Sequence, residues 1–111
     1  MSKYGNKKVK GTIYGDFDSQ GEYQHYLYLK ERQRQGDITI LERQVTYKLI
    51  VNGKLVCKVV PDYRYTLKSG LTAVSDYKGL LLPISKLKYK LLDALYDIPV
   101  VIVTKPGQWL H

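Results

Sequence analysis

The chain has 111 residues, with 18 Lys or Arg against 10 Asp or Glu, a formal net charge of +8. This length supports one hydrophobic core, taking roughly two thirds of the unfolded surface out of water, and is too short for two independent ones. Hydrophobic content of 44% with charged content of 25% is that of a globular domain, and 2 His with 1 Cys exclude a structural zinc site, a zinc-dependent deaminase and an internal disulfide.

Residues 1–11 read as a basic arm carrying Lys3, Lys7, Lys8 and Lys10, interrupted by Gly5 and Gly11 and followed by a short strand at Thr12 to Tyr14. Ser19-Gln20-Gly21-Glu22 has the spacing of a capping box, so a helix is predicted from there to about Gln35, with Tyr23, Tyr26 and Leu27 inward and Gly36 as its stop. From Ile38 to Tyr77 the residues become β-branched and aromatic. Asn52-Gly53 between Val45–Val51 and Lys54–Val60 predicts a hairpin, and Lys68-Ser69-Gly70 predicts a second turn into a strand from Leu71 to Tyr77. Pro83 suits a first helical turn, after which Ile84, Leu87, Leu91, Leu92 and Leu95 recur at helical spacing to about Tyr96. Val100-Val101-Ile102-Val103, following Pro99, reads as a short strand buried on both faces, within a helix-covered sheet. The predicted order is helix, three strands as a meander, helix, strand: an α/β (α+β) domain built as αβββαβ, with a mixed central sheet flanked by helices.

If Lys68-Ser69-Gly70 is a three-residue turn, position 67 faces 71 and Asp62 lies directly opposite Asp76. Opposed residues of an antiparallel pair share a face with Cβ atoms about 5 Å apart, and like charges there are destabilising. Lys78, two residues beyond Asp76, falls on the same face by strand alternation. Two acids and a lysine converging there can hold a hard divalent cation beside a phosphate. The same spacing also suits a surface acid pair with a lysine counter-ion, and Glu22 could simply close its capping box.

Pro61-Asp62, a hairpin, then Asp76-Tyr77-Lys78 resembles the PD-(D/E)xK motif of restriction-endonuclease-like nucleases. More narrowly, the chain resembles a family of small phage-encoded proteins, catalogued as a domain of unknown function and similar to Holliday-junction resolvases. The matching pieces are Lys3-Tyr4-Gly5-Asn6-Lys7-Lys8, Phe17-Asp18-Ser19 with Glu22 and Tyr26, Leu41-Glu42-Arg43-Gln44, Asp62-Tyr63-Arg64-Tyr65, Asp76-Tyr77-Lys78-Gly79 and Lys86-Leu87-Lys88. The resemblance implies a metal-dependent phosphodiesterase. In it Asp62 and Asp76 bind Mg²⁺ or Mn²⁺, the Tyr77 carbonyl adds a ligand, Lys78 positions the attacking water, and Glu22 joins the metal shell directly or through water.

The net charge of +8 favours a polyanion partner, with nucleic acid, DNA or RNA, ahead of an anionic membrane because no segment is long and apolar enough to span a bilayer. No signal-peptide pattern opens the chain, so a cytoplasmic setting is expected, that of the host for a phage-encoded protein. Lys3, Lys7, Lys8 and Lys10 on the arm and Lys86 and Lys90 on the second helix are the expected phosphate contacts, and contacts of that kind favour recognition of shape over sequence. The expected function is an endonuclease for branched or structured DNA, acting as a homodimer in phage recombination or replication. The alternative is a catalytically silent DNA-binding or regulatory protein on the same fold.

Overall fold

The computed structural model describes residues 8–77 and 82–107. In chain order these form β1 (Val9–Thr12), β2 (Gly15–Phe17), α1 (Gln20–Arg34), β3 (Ile38–Arg43), β4 (Tyr47–Val51), β5 (Lys54–Val59), β6 (Tyr63–Leu67), β7 (Thr72–Tyr77), α2 (Pro83–Tyr96) and β8 (Val100–Val103). The class is mixed α+β. No helix among the described residues is long and apolar enough to cross a membrane.

The central sheet runs β3-β6-β7-β8, antiparallel except for the β7–β8 pair, which is parallel and joined through α2. Leaving aside β1, β2 and the β4–β5 hairpin, the order is αβββαβ, as expected. The membership of the sheet differs from the predicted meander. Asn52 and Gly53 do make a tight turn, with φ of 51° and 76° as a type I′ hairpin requires. The β4–β5 hairpin that they close forms its own two-stranded sheet, and the first strand of the central sheet is β3. The reason is packing: Leu49 and Val59 of the hairpin bury themselves against α2 and the sheet face instead of extending the sheet edge.

Strand alternation divides the core in two. Tyr63, Tyr65 and Ala73 face α1 and pack with Tyr26, Leu29, Ile38 and Phe17. Val74 faces the other way and packs with Leu49, Val59, Tyr89, Leu92 and Ile98. Each fully buried large side chain contributes about 1.5–3 kcal/mol of apolar transfer, so Tyr63 and Tyr65 on adjacent alternate positions hold α1 to the sheet.

Helix α1 begins and ends where its signals lie. The Ser19 hydroxyl accepts the Glu22 amide at 3.0 Å, and Gly36, at φ 85°, follows the last turn. Its buried residues are Glu22, His25, Tyr26 and Leu29, with Tyr23 and Leu27 only half-buried. Helix α2 occupies its predicted span, but its leucine stripe is only partly used. Leu92 is buried and Leu91 and Leu95 are half-buried against the same cluster, whereas Ile84 is 56% and Leu87 62% exposed. At the N-terminus, Ile13 and Tyr14 form the turn between β1 and β2, not a strand, and the end of the expected arm is already strand β1. Among the described residues strand β8 forms the edge of its sheet, with Val101 and Val103 buried and Val100 and Ile102 half-buried, so it is covered less completely than its four apolar residues suggested.

His25 is almost fully buried between Tyr28 and Tyr63, and its Nδ1 accepts the Gly107 amide at 3.2 Å. Burial lowers its pKa from the ordinary 6.5 to about 4. Above pH 6.5 both folded and unfolded rings are neutral. Below it only the unfolded ring takes a proton, so this contribution to stability is lost as pH falls from about 6.5 towards about 4. An NMR titration should therefore show the His25 ring titrating near pH 4, with thermal stability falling across that window. A midpoint near 6.5 would mean that the ring is solvated.

Candidate functional site

The Lys68-Ser69-Gly70 turn sets the register that builds the site. The Leu67 amide donates to the Leu71 carbonyl at 2.9 Å, and Tyr63 faces Ser75 and Arg64 faces Val74 across β6 and β7. Asp62, the residue before β6, thus comes opposite Asp76, the register inferred from the turn. The Asp62 amide donates to Asp76 Oδ1 at 3.1 Å, and Asp62 Oδ2 accepts the Tyr77 amide at 2.8 Å. The Gln44 amide donates to the Asp62 carbonyl at 3.0 Å, tying the end of β3 to the same point.

Asp76 is 1% exposed on the sheet face that carries α2, and the Tyr89 hydroxyl donates to its Oδ2. Burial, then the Asp76 charge, raises the Tyr89 pKa, so the phenol stays protonated and remains a donor. Glu22 reaches the cluster from the first turn of α1. Its carbonyl accepts the Tyr63 hydroxyl at 2.7 Å, and its side chain is buried. Among the described residues Glu22 Oε1 has no hydrogen-bond partner. The capping box is therefore half made: Ser19 bonds the Glu22 amide, and one Glu22 carboxylate oxygen is left facing the interior. Gly21 allows this approach, since a Cβ there would overlap the Tyr77 hydroxyl and ring.

The three acids act on one another electrostatically. Asp62 is driven well above the usual carboxylate range, first by burial, then by its hydrogen bond with Asp76, then by the charges of Asp76 and Glu22. Glu22 is also raised, first by burial and then by Asp18 and Asp76, with Arg43 opposing. In the sequence Arg43 stands out only as part of the segment Leu41-Glu42-Arg43-Gln44. Its guanidinium donates to the Tyr14 and Asp16 carbonyls at 2.9 and 2.7 Å and lies 3.7 Å from the Phe17 ring centroid. A bulge puts it there. The β3–β6 register shifts between Thr39 and Glu42, where Ile40 has φ 53°, so Arg43 comes opposite Tyr63 and turns to the α1 face.

Of the expected site residues, Asp62 and Asp76 are brought to hydrogen-bond distance, and Glu22 lies near enough to act on them electrostatically. Tyr77 adjoins them through its amide and pairs with Val103. Lys78, Lys3 and Lys7 lie outside the described residues. Lys8 precedes β1 and Lys10 lies within it, both exposed, while Lys86 and Lys90 are exposed along α2. Tyr89 was missed because it is one tyrosine of 11, with no local mark that its hydroxyl meets an acid 13 residues away in sequence. Among the described residues no three His, Cys, Asp or Glu side chains converge closely enough to share one ion. The donor chemistry nevertheless suits a hard cation. Asp62 and Asp76 offer carboxylate oxygens, the donor type a hard cation takes, and Glu22 has a buried oxygen without a hydrogen-bond partner among the described residues.

The raised pKa of Asp62 carries a sign. Below the ordinary carboxylate range Asp62 is protonated in both folded and unfolded forms and its contribution to stability is fully present, and this is lost as pH rises through the raised folded value. Asp62→Asn keeps an acceptor for the Tyr77 amide and supplies a permanent donor to Asp76. It should raise stability at neutral pH, without added divalent cation, by about 1 kcal/mol, or about 4 °C in Tm, and flatten the pH dependence above pH 5 in thermal melts. An unchanged or lower Tm would show that the carboxylate pair is not strained.

No curated protein and no solved structure matches the chain. A family model described as "Protein of unknown function (DUF1064)" matches residues 1–106, which span all the elements above and the whole carboxylate cluster, and the chain belongs to that family.

Proposed function

We propose that the protein is a divalent-metal-dependent endodeoxyribonuclease of the PD-(D/E)xK type, hydrolysing phosphodiester bonds in branched or structured DNA, as Holliday-junction resolvases do. One observation carries this reading. In a chain of net charge +8, Asp62 and Asp76 meet at hydrogen-bond distance from adjacent strands with Glu22 buried beside them, an arrangement that costs stability and that a cation would relieve.

In this reading Asp62 and Asp76 hold Mg²⁺ or Mn²⁺, with the Tyr77 carbonyl as a further ligand and Glu22 acting through water. When bound, the ion supplies Lewis acidity and lowers the pKa of water. Tyr89 orients Asp76 through its hydroxyl, and the Asp62 and Tyr77 amides fix the rotation of the two carboxylates. Lys78 positions the water and offsets charge at the phosphate. Lys3, Lys7, Lys8, Lys10, Lys86 and Lys90 neutralise neighbouring phosphates, which makes binding salt-dependent and indifferent to sequence. Cleaving two strands of a junction symmetrically calls for two sites, hence a homodimer, working in the cytoplasm of a phage-infected host.

A second reading has its own support. Asp62 and Asp76 also serve as a clamp, since each accepts a backbone amide of the neighbouring strand, and a silent DNA-binding or regulatory protein could keep them for that purpose. The decisive experiment digests labelled junction, flap, single-strand and duplex DNA with Mg²⁺ or Mn²⁺ and with chelator. Metal-dependent cleavage of the branched substrates is expected, abolished by chelator and lowered at least 100-fold by Asp76→Asn with DNA affinity retained. Thermal melts should show Mg²⁺ or Mn²⁺ raising the wild-type Tm but not that of Asp76→Asn. Salt-sensitive binding with no cleavage of any substrate would leave the silent reading.

A further inference from the structure

Beside the carboxylate cluster, between α2 and β8, lies a cleft of about 240 Å³. Its helix side is Lys86, Tyr89, Lys90 and Asp93, one stripe at i, i+3, i+4 and i+7, and its floor is Val100 and Ile102. Ile102 is the direct ladder partner of Asp76 and Val100 that of Val74, so the floor continues the sheet face that carries Asp76, one strand spacing of about 4.8 Å away. Tyr89 links the two: its ring walls the cleft and its hydroxyl holds Asp76. Among the described residues no strand pairs with the outer edge of β8, so the cleft opens along that edge.

We propose that this cleft seats one unpaired nucleotide of the DNA strand, next to the phosphate at the Asp62–Asp76 pair; this rests on the nuclease reading above. A cleft of this size is below the roughly 300–1,000 Å³ of sites for drug-sized ligands and suits a single nucleoside. Its chemistry divides as a nucleotide does. Val100, Ile102 and Tyr89 offer an apolar wall for a base face, which is tolerant of base identity. Lys86 and Lys90 supply compact charges for a phosphate. Asp93 supplies an acceptor for an exocyclic amine, as on cytosine or adenine, and repels a second phosphate. A base stacked and paired in duplex cannot enter without being extruded, so the cleft favours strands already unpaired, as at branch points and flaps.

The test needs no cleavage. With chelator present, the methyl resonances of Val100 and Ile102 are followed by NMR during titration with a cytosine-containing single-stranded hexanucleotide, its duplex, and inorganic phosphate. The single strand should shift both residues' methyls and bind at least 10-fold more tightly than the duplex, and the Lys86→Ala/Lys90→Ala pair should weaken it about 10-fold. Phosphate should leave the methyls in place. Methyls unmoved by the single strand, equal shifts from duplex, or the same shifts from phosphate alone would each overturn the proposal. Methyl shifts in a protein that cleaves nothing would keep the nucleotide site and remove the nuclease reading; cleavage with unmoved methyls would do the reverse.

Discussion

Two carboxylates that repel each other stand at the centre of this molecule. Asp62 and Asp76 are placed opposite one another by a tight turn, and neither can leave, because each is gripped by a backbone amide of the facing strand. The grip is what makes the pair tolerable. Amide donors partly offset the charge of an ionised carboxylate, while burial first, then the hydrogen bond with Asp76 and the neighbouring charges, raises the Asp62 pKa. The elements near the pair tighten it, add to its charge or balance that charge.

The two faces of the sheet do this differently. On one face α1 approaches closely at Gly21, where the Tyr77 ring takes the space of a side chain, and this brings Glu22 to the cluster. Arg43, turned to the same face by the bulge in β3, opposes the added negative charge while it ties the β1–β2 ribbon down through two carbonyls. On the other face α2 is seated by Leu92 and Tyr89, and Tyr89 spends its hydroxyl on Asp76. A phenol buried in an apolar core normally needs a partner, and this one finds it in Asp76. The catalytic proposal and the packing of α2 therefore share a residue.

Charge is distributed unevenly as a result. Glu22 is buried near the pair and Arg43 is half-buried on the same face, while Lys8, Lys10, Lys86 and Lys90 stay exposed. A net charge of +8 thus understates the contrast between the basic exterior and the acidic interior of the site. For a polyanionic partner, that contrast would separate the surface that attracts the backbone from the point where its phosphate meets the acids.

Features written in short stretches of chain were legible without coordinates. The Ser19 cap, the Asn52-Gly53 hairpin, the Lys68-Ser69-Gly70 register and the span of α2 all follow from hydrogen bonds and dihedral preferences closed within a few residues, and the Asp62–Asp76 apposition follows from that register. Features that depend on which distant surface an element meets were not. That β3 joins the sheet while the β4–β5 hairpin folds away, that a bulge at Ile40 reverses the face of Arg43, that Ile84 and Leu87 stay in solvent, and that Tyr89 serves Asp76 are outcomes of competition among many apolar contacts of similar strength. A sequence states which side chains want burial, but only the packed chain decides which of them find it, because burial is a property of pairs of surfaces and not of any one segment.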